Sequence, residues 1–108
     1  MNKKVYDISS KLSNDNPVLK IDKEHQYEVN TDKNVVLQMT EMQKNGVEDT
    51  EILKLLLGEE NAKEVENYLA TTPNYSSNLQ AIMIAAVAAV SNIPYEVAEK
   101  RFLDTIRG

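Results

Sequence analysis

Leu79-Gln80-Ala81-Ile82-Met83-Ile84-Ala85-Ala86-Val87-Ala88-Ala89-Val90 is the stretch whose reading decides the architecture. Its unbroken apolar part, Ala81 to Val90, spans ten residues, whereas about 20 are needed to cross a hydrocarbon layer roughly 30 Å thick. It therefore reads as a core helix rather than a membrane span. Advancing 100° per residue, Leu79, Ile82, Met83, Ala86 and Val90 gather on one side, the expected core stripe. The other side carries Ala81, Ile84, Ala85 and Ala88 instead of charges. A helix apolar around its circumference has to be covered all round. Two readings stand for the second side: coverage within the bundle, or coverage by a partner or a second copy.

Working outward, Ser76 or Ser77 is the expected cap of this helix, which runs to about Asn92. Ile93-Pro94 opens a fifth helix, with Pro94 at the position that tolerates a missing N–H. Ala98, Phe102 and Ile106 mark its inner stripe, and Lys100, Arg101 and Arg107 sit toward its negative end. Upstream, residues 59–70 form a third helix with Ala62, Val65, Tyr68 and Leu69 inward and Glu59, Glu60, Lys63, Glu64 and Glu66 outward; Thr71-Thr72-Pro73-Asn74 breaks it. Before it, Asp49 or Thr50 starts a short helix in which Ile52, Leu53, Leu55, Leu56 and Leu57 crowd together until Gly58. Leu55 lies off the axis of the other leucines and is a candidate for exposure. The first helix, capped by Thr31 or Asn30 with Asp32 in its first turn, presents Val35, Met39 and Met42 at helical spacing and stops at Asn45-Gly46.

Between residues 18 and 30 the period changes from helical to two. Leu19 and Ile21, then Tyr27 and Val29, alternate with polar residues around Asp22-Lys23-Glu24-His25, the pattern of a β-hairpin with one apolar face. A lone hairpin is marginal in water, so that face needs a helix beneath it. Residues 1–17 hold few apolar anchors and read as a flexible arm. The expected fold class is α+β and mainly helical: an N-terminal β-hairpin followed by a bundle of about five short helices, one domain over residues 18–108.

The chemistry on offer is sparse. The 108 residues include no Cys, which excludes disulfides, thiolate metal sites and thiol nucleophiles. His25 is the only imidazole and reads as a solvated turn residue, leaving catalytic triads and metal sites without parts. Asn14-Asp15-Asn16 lacks the spacing, glycine and closing glutamate of a calcium loop. The isolated glycines build no phosphate cradle. Ser76-Ser77-Asn78-Leu79 lacks the Asp that precedes the modified serine of acyl carrier proteins. No catalytic residue, cofactor or metal is assigned. Twelve basic and 17 acidic side chains leave a net charge of −5, unsuited to nucleic acid. The whole deficit lies within residues 48–66, where seven carboxylates face Lys54 and Lys63. That stretch is either an ordinary solvated helix surface or an acidic flank that steers a basic partner. Met1-Asn2-Lys3-Lys4 is followed by Asp7, Lys11 and Asp15 instead of an apolar segment, so export is not expected.

The order of features resembles a known family. A hairpin ending in Tyr27-Glu28-Val29-Asn30, the helix start Thr31-Asp32-Lys33-Asn34-Val35-Val36-Leu37, the segment Leu55-Leu56-Leu57-Gly58-Glu59-Glu60-Asn61-Ala62 and an Ala-rich helix leading into Ala98-Glu99-Lys100-Arg101-Phe102 are similar to the tail assembly chaperones of long-tailed bacteriophages and prophages of Gram-positive hosts. The likeness covers about residues 18–103. It implies a non-enzymatic protein of the host cytoplasm that binds the tape measure protein, a long aggregation-prone helical chain, and helps recruit tail tube subunits during tail morphogenesis. Self-association into a homo-oligomer is a further expectation; nucleic acid and membrane are not expected partners. Leu55, Ala81, Ile84, Ala85 and Ala88, with Met39, Met42 and the adaptable Met83, are the candidate partner-binding residues, set against the reading that the methionines fill the core. The alternative function is a small bacterial regulatory or adaptor domain that binds a folded protein.

Overall fold

The alternation of apolar and polar residues around His25 makes a short antiparallel hairpin, β1 (Val18–Lys20) and β2 (Gln26–Glu28), with Leu19 opposite Tyr27. The computed structural model describes residues 3–13 and 15–107, with the side chains of 106 and 107 excepted. Met1, Asn2, Asn14, Gly108 and the expected inner position of Ile106 and C-terminal charge of Arg107 lie outside the described residues and side chains. Among the described residues five α-helices follow the hairpin: α1 (Lys33–Lys44), α2 (Asp49–Leu57), α3 (Glu59–Ala70), α4 (Tyr75–Ser91) and α5 (Tyr95–Arg107). The expected fold class, a hairpin followed by a helical bundle, is the observed one.

Leu19, Tyr27 and Val29 are buried on one face of the hairpin region, as period two requires, and Ile21 is half-buried beside them. They meet Ile52, Leu53, Leu56 and Leu57 of α2, which lies at the centre of the core. From α3 come Ala62, Val65 and Leu69, and from α4 Ile82, Met83 and Ala86. Met39 closes the core from α1. One backbone bond ties the end of the hairpin region to α2, and a side chain of α3 adds a second bond to that helix. The last carbonyls of a helix lack intrahelical partners; the Asn30 N–H donates to Leu56 O at 2.8 Å, and the Asn61 side-chain amide to Leu57 O at 3.1 Å.

The caps differ from the expected ones. Asp32 itself occupies the N-cap of α1 without a side-chain capping bond, while Asn30 Oδ1 accepts the Asp32 N–H at 3.0 Å. Ser76 and Ser77 lie inside α4, whose N-cap is Asn74 in the left-handed conformation. The Ser77 hydroxyl donates back to Asn74 O at 3.3 Å. At the other end of α4, Asn92 is again left-handed, and the N–H groups of Asn92 and Ile93 bond Ala89 O and Ala88 O. This closure satisfies carbonyls that would otherwise be orphaned. Pro94 O then receives the Val97 and Ala98 N–H groups as α5 starts, and the chain bends by 116° between α4 and α5.

Gly58 joins α2 to α3 at φ 89°, ψ 157°, a region essentially closed to side chains. Nothing lies within 4 Å of the place a Cβ would occupy, so the requirement is conformational rather than steric crowding by neighbours. Gly58→Ala is expected to cost about 1–3 kcal/mol, read as a lower denaturation midpoint with an unchanged m-value.

His25 is a correction. Instead of lying free in solvent it is half-buried, its ring 4.8 Å from that of Tyr68. Its Nδ1 is 2.7 Å from Asp22 Oδ1, which also accepts the Glu24 and His25 N–H groups. The histidine bond, above all, holds the Asp22 carboxyl below its ordinary range. His25 thus pins the hairpin turn onto α3. Glu66, expected outward, is half-buried, whereas Glu59, Glu60, Lys63 and Glu64 are exposed.

Candidate functional site

Beside the bend between α4 and α5 lies a cleft of about 630 Å³. Two helices crossing at so wide an angle touch only near their junction, so their side chains diverge away from it. At the junction, Ile84 and Ala88 of α4 and Ala98 of α5 form a small buried cluster, with Ile93, Tyr95 and Phe102 packed on it. Leu79, Met83, Ile84, Val87, Ile93 and Phe102 give the cleft an apolar lining. Its polar border is made by Gln43 of α1, Asp49 of α2, Ser76, Gln80 and Ser91 of α4, and Arg101 and Thr105 of α5.

The two sides of α4 thus have separate fates. Its Ala81 side, with Asn78, Ile82 and Ala85, faces Leu19, Lys20 and Ile21 of the hairpin region together with Tyr68 and Tyr95 across a second concavity of about 410 Å³. Desolvation, chiefly, with help from Glu99 and Glu96, raises the Tyr95 hydroxyl above its ordinary range. Tyr27 is raised in the same direction, by burial first and then by the hydrogen bond it donates to Glu64 Oε1 at 3.2 Å.

The candidate partner-binding residues do not come together as one exposed face. Ile84 and Ala88 are each 5% exposed because α5 covers them, and Met39 is 4% exposed within the main core. For these three, coverage within the chain is the outcome. Leu55, Met42 and Ala85 are half-buried against the core, and Ala81 is exposed. Ile84 and Met83 still contribute to the cleft floor, so two candidates lie in the concavity though little of either reaches solvent. Val87, Phe102, Leu79 and Ile93 are the lining positions that sequence reasoning did not single out as a surface. Helical periodicity assigns residues to a side of one helix; the cleft depends on the angle between two.

Substantial apolar surface remains elsewhere. Val5, Tyr6, Ile8 and Leu12 of the arm are 84%, 81%, 56% and 63% exposed, and every described residue from 3 to 13 is exposed. The total accessible surface of 8315 Å² exceeds the roughly 6,000 Å² that a compact chain of this mass presents. The acidic stretch is also at the surface: Glu48, Asp49, Glu51, Glu59, Glu60 and Glu64 are exposed. Lys54 pairs with Glu51 at 3.2 Å, both well solvated.

Among the described residues no group of three or more His, Asp or Glu side chains is placed to hold a metal ion. No single helix among them is long and apolar enough to cross a membrane. Comparisons with protein-family models, with curated proteins and with solved structures find no match.

Proposed function

We propose that this chain is a tail assembly chaperone of a long-tailed phage or prophage, acting through the α4–α5 cleft on an apolar segment of the tape measure chain. The observation that carries the reading is the cleft itself: about 630 Å³, apolar along its floor and polar around its border. An amphipathic helix buries one stripe and keeps its other side in water, and such an apolar trough suits that stripe. Met83 on the floor adds a side chain that repacks against varied surfaces, which suits a long helical client. The acidic α2–α3 surface keeps a chaperone with uncovered apolar area in solution. The order of sequence features supports the family; recruitment of tail tube subunits belongs to the same proposal. Binding rather than catalysis is the role, in the cytoplasm of a bacterial host.

The test is co-expression with the tape measure chain and recovery of the complex. Ser76 and Ser91 border the cleft near opposite ends of α4, and both are exposed. Ser76→Glu with Ser91→Arg places a carboxylate near the positive helix end and a cation near the negative one, so the helix itself is not weakened. The paired variant is expected to melt like the parent yet recover about tenfold less complex, a difference of roughly 1.4 kcal/mol. A parent protein that fails to bind the tape measure chain would overturn the function. Full binding by the paired variant would remove the cleft as its site.

A further inference from the structure

The arm and the cleft are complementary parts of one molecule that do not meet within it. Ile8 and Leu12 are four residues apart and flank a single 3-10 turn over Ser9–Lys11, with Leu12 itself extended. Asp7 Oδ1, just before it, accepts the Ser9 N–H at 2.9 Å and the Ser9 hydroxyl at 2.7 Å. Winding residues 8–12 into an α-helical turn on docking would align Ile8 and Leu12 on one side, the spacing by which helical segments enter apolar troughs. Charge agrees as well. Residues 3–13 carry Lys3, Lys4 and Lys11 against Asp7 alone, while the cleft lining holds Asp49 of α2, with Glu48 and Glu51 next to it in the chain, and a single cation, Arg101 of α5.

Connectivity favours a second copy as the source of the arm. Its root is fixed beside the hairpin, where Val29 N–H donates to Pro17 O at 2.9 Å and Thr31 Oγ1 to Asn16 Oδ1 at 3.4 Å. The hairpin faces the Ala81 and Ala85 side of α4, whereas Leu79, Met83 and Val87 point into the cleft, roughly half a turn around the helix axis. Five residues from Pro17 to Leu12 reach at most about 18 Å, and half the girth of a helix about 10–12 Å across with its side chains, roughly 16–19 Å, uses up that reach before Leu12 arrives at the same molecule's cleft. A neighbouring molecule's cleft imposes no such detour.

We propose that the arm of one copy docks in the α4–α5 cleft of a second copy, with Ile8 and Leu12 as anchors and Lys3 and Lys4 toward Asp49 of α2. Two copies that exchange arms close a symmetric dimer. The self-association stands without any client; the competition it imposes on a client at the same cleft rests on the function proposed above.

Light scattering across a concentration series of the full chain tests it. The parent is expected to rise from 12.2 kDa to twice that mass, while Ile8→Asp/Leu12→Asp, altered only at exposed arm positions, stays monomeric with an unchanged melting curve. Because the chain has no Cys, Ser10→Cys carries a single benzophenone photo-crosslinker. In a mixture of light- and heavy-nitrogen chains, light-to-heavy crosslinks from Ser10→Cys to α4 or α5 are expected. A parent that remains monomeric throughout, an arm variant that associates like the parent, or crosslinks confined within single chains would each overturn the proposal. Since no tape measure chain is present, these outcomes are independent of whether a client binds.

Discussion

Ile84→Asp is expected to detach α5 from the rest of the molecule. The side chain is 5% exposed and packs in the cluster with Ala88 and Ala98, flanked by Ile93 and Phe102. A carboxylate there either stays ionised without an ion-pair partner or takes up a proton; a shift of three to five pKa units corresponds to about 4–7 kcal/mol. The junction cluster is small, and a 13-residue helix freed of its packing is marginal in water. Release of α5 relieves the buried charge at lower cost than unfolding the core, so the loss is local. Hydrogen exchange is the measurement: the amides of α5 become fast while those of α2 keep their protection. Retained protection in α5 would show that the junction accommodates the charge. The variant therefore reports on folding, which is why the binding test uses the border residues Ser76 and Ser91.

Leu53→Ala is expected to destabilise the entire domain. Leu53 is 0% exposed in the middle of α2, the helix that meets the hairpin, α3 and α4 in the main core. Truncation removes the transfer free energy of the lost methyl groups and leaves a cavity that its neighbours fill only in part, about 2–5 kcal/mol in total. Against a global stability of about 5–15 kcal/mol, that lowers the melting temperature by roughly 10 °C or more. Urea titration is expected to give a lower midpoint with an unchanged slope. Leu55→Ala, two residues along and half-buried, is the comparison: it leaves a shallower, water-accessible defect and moves the midpoint less. Equal shifts for the two would contradict the assignment of Leu53 to the centre and Leu55 to its margin.

Much of the candidate site was hidden in the sequence for an identifiable reason. The apolar circumference of α4 was legible, and with it the need for cover on both sides. Which cover each side received was not. Ile84 and Ala88 looked available as a surface until α5 folded back over them, and Ala81, on the side toward the hairpin, stayed exposed. His25 was similar: its position in a turn was legible, its packing on Tyr68 of α3 was not, because that contact joins residues 43 apart in the chain. The methionines divided, with Met39 and Met83 buried and Met42 half-buried against the core, a difference that depends on the neighbouring helices.

Local chemistry by itself determined the period-two hairpin, the five helical segments, the stops at Gly46, Gly58 and Pro73, and the acidic stretch over residues 48–66. Each of these is written within a few residues, where side-chain spacing, left-handed backbone and missing donors act directly on the chain. Only the tertiary structure decided that α5 shields Ile84 and that a cleft opens beside that junction. Those outcomes depend on the angle between α4 and α5 and on contacts between distant segments, and helical periodicity specifies the sides of a helix without specifying what packs against them.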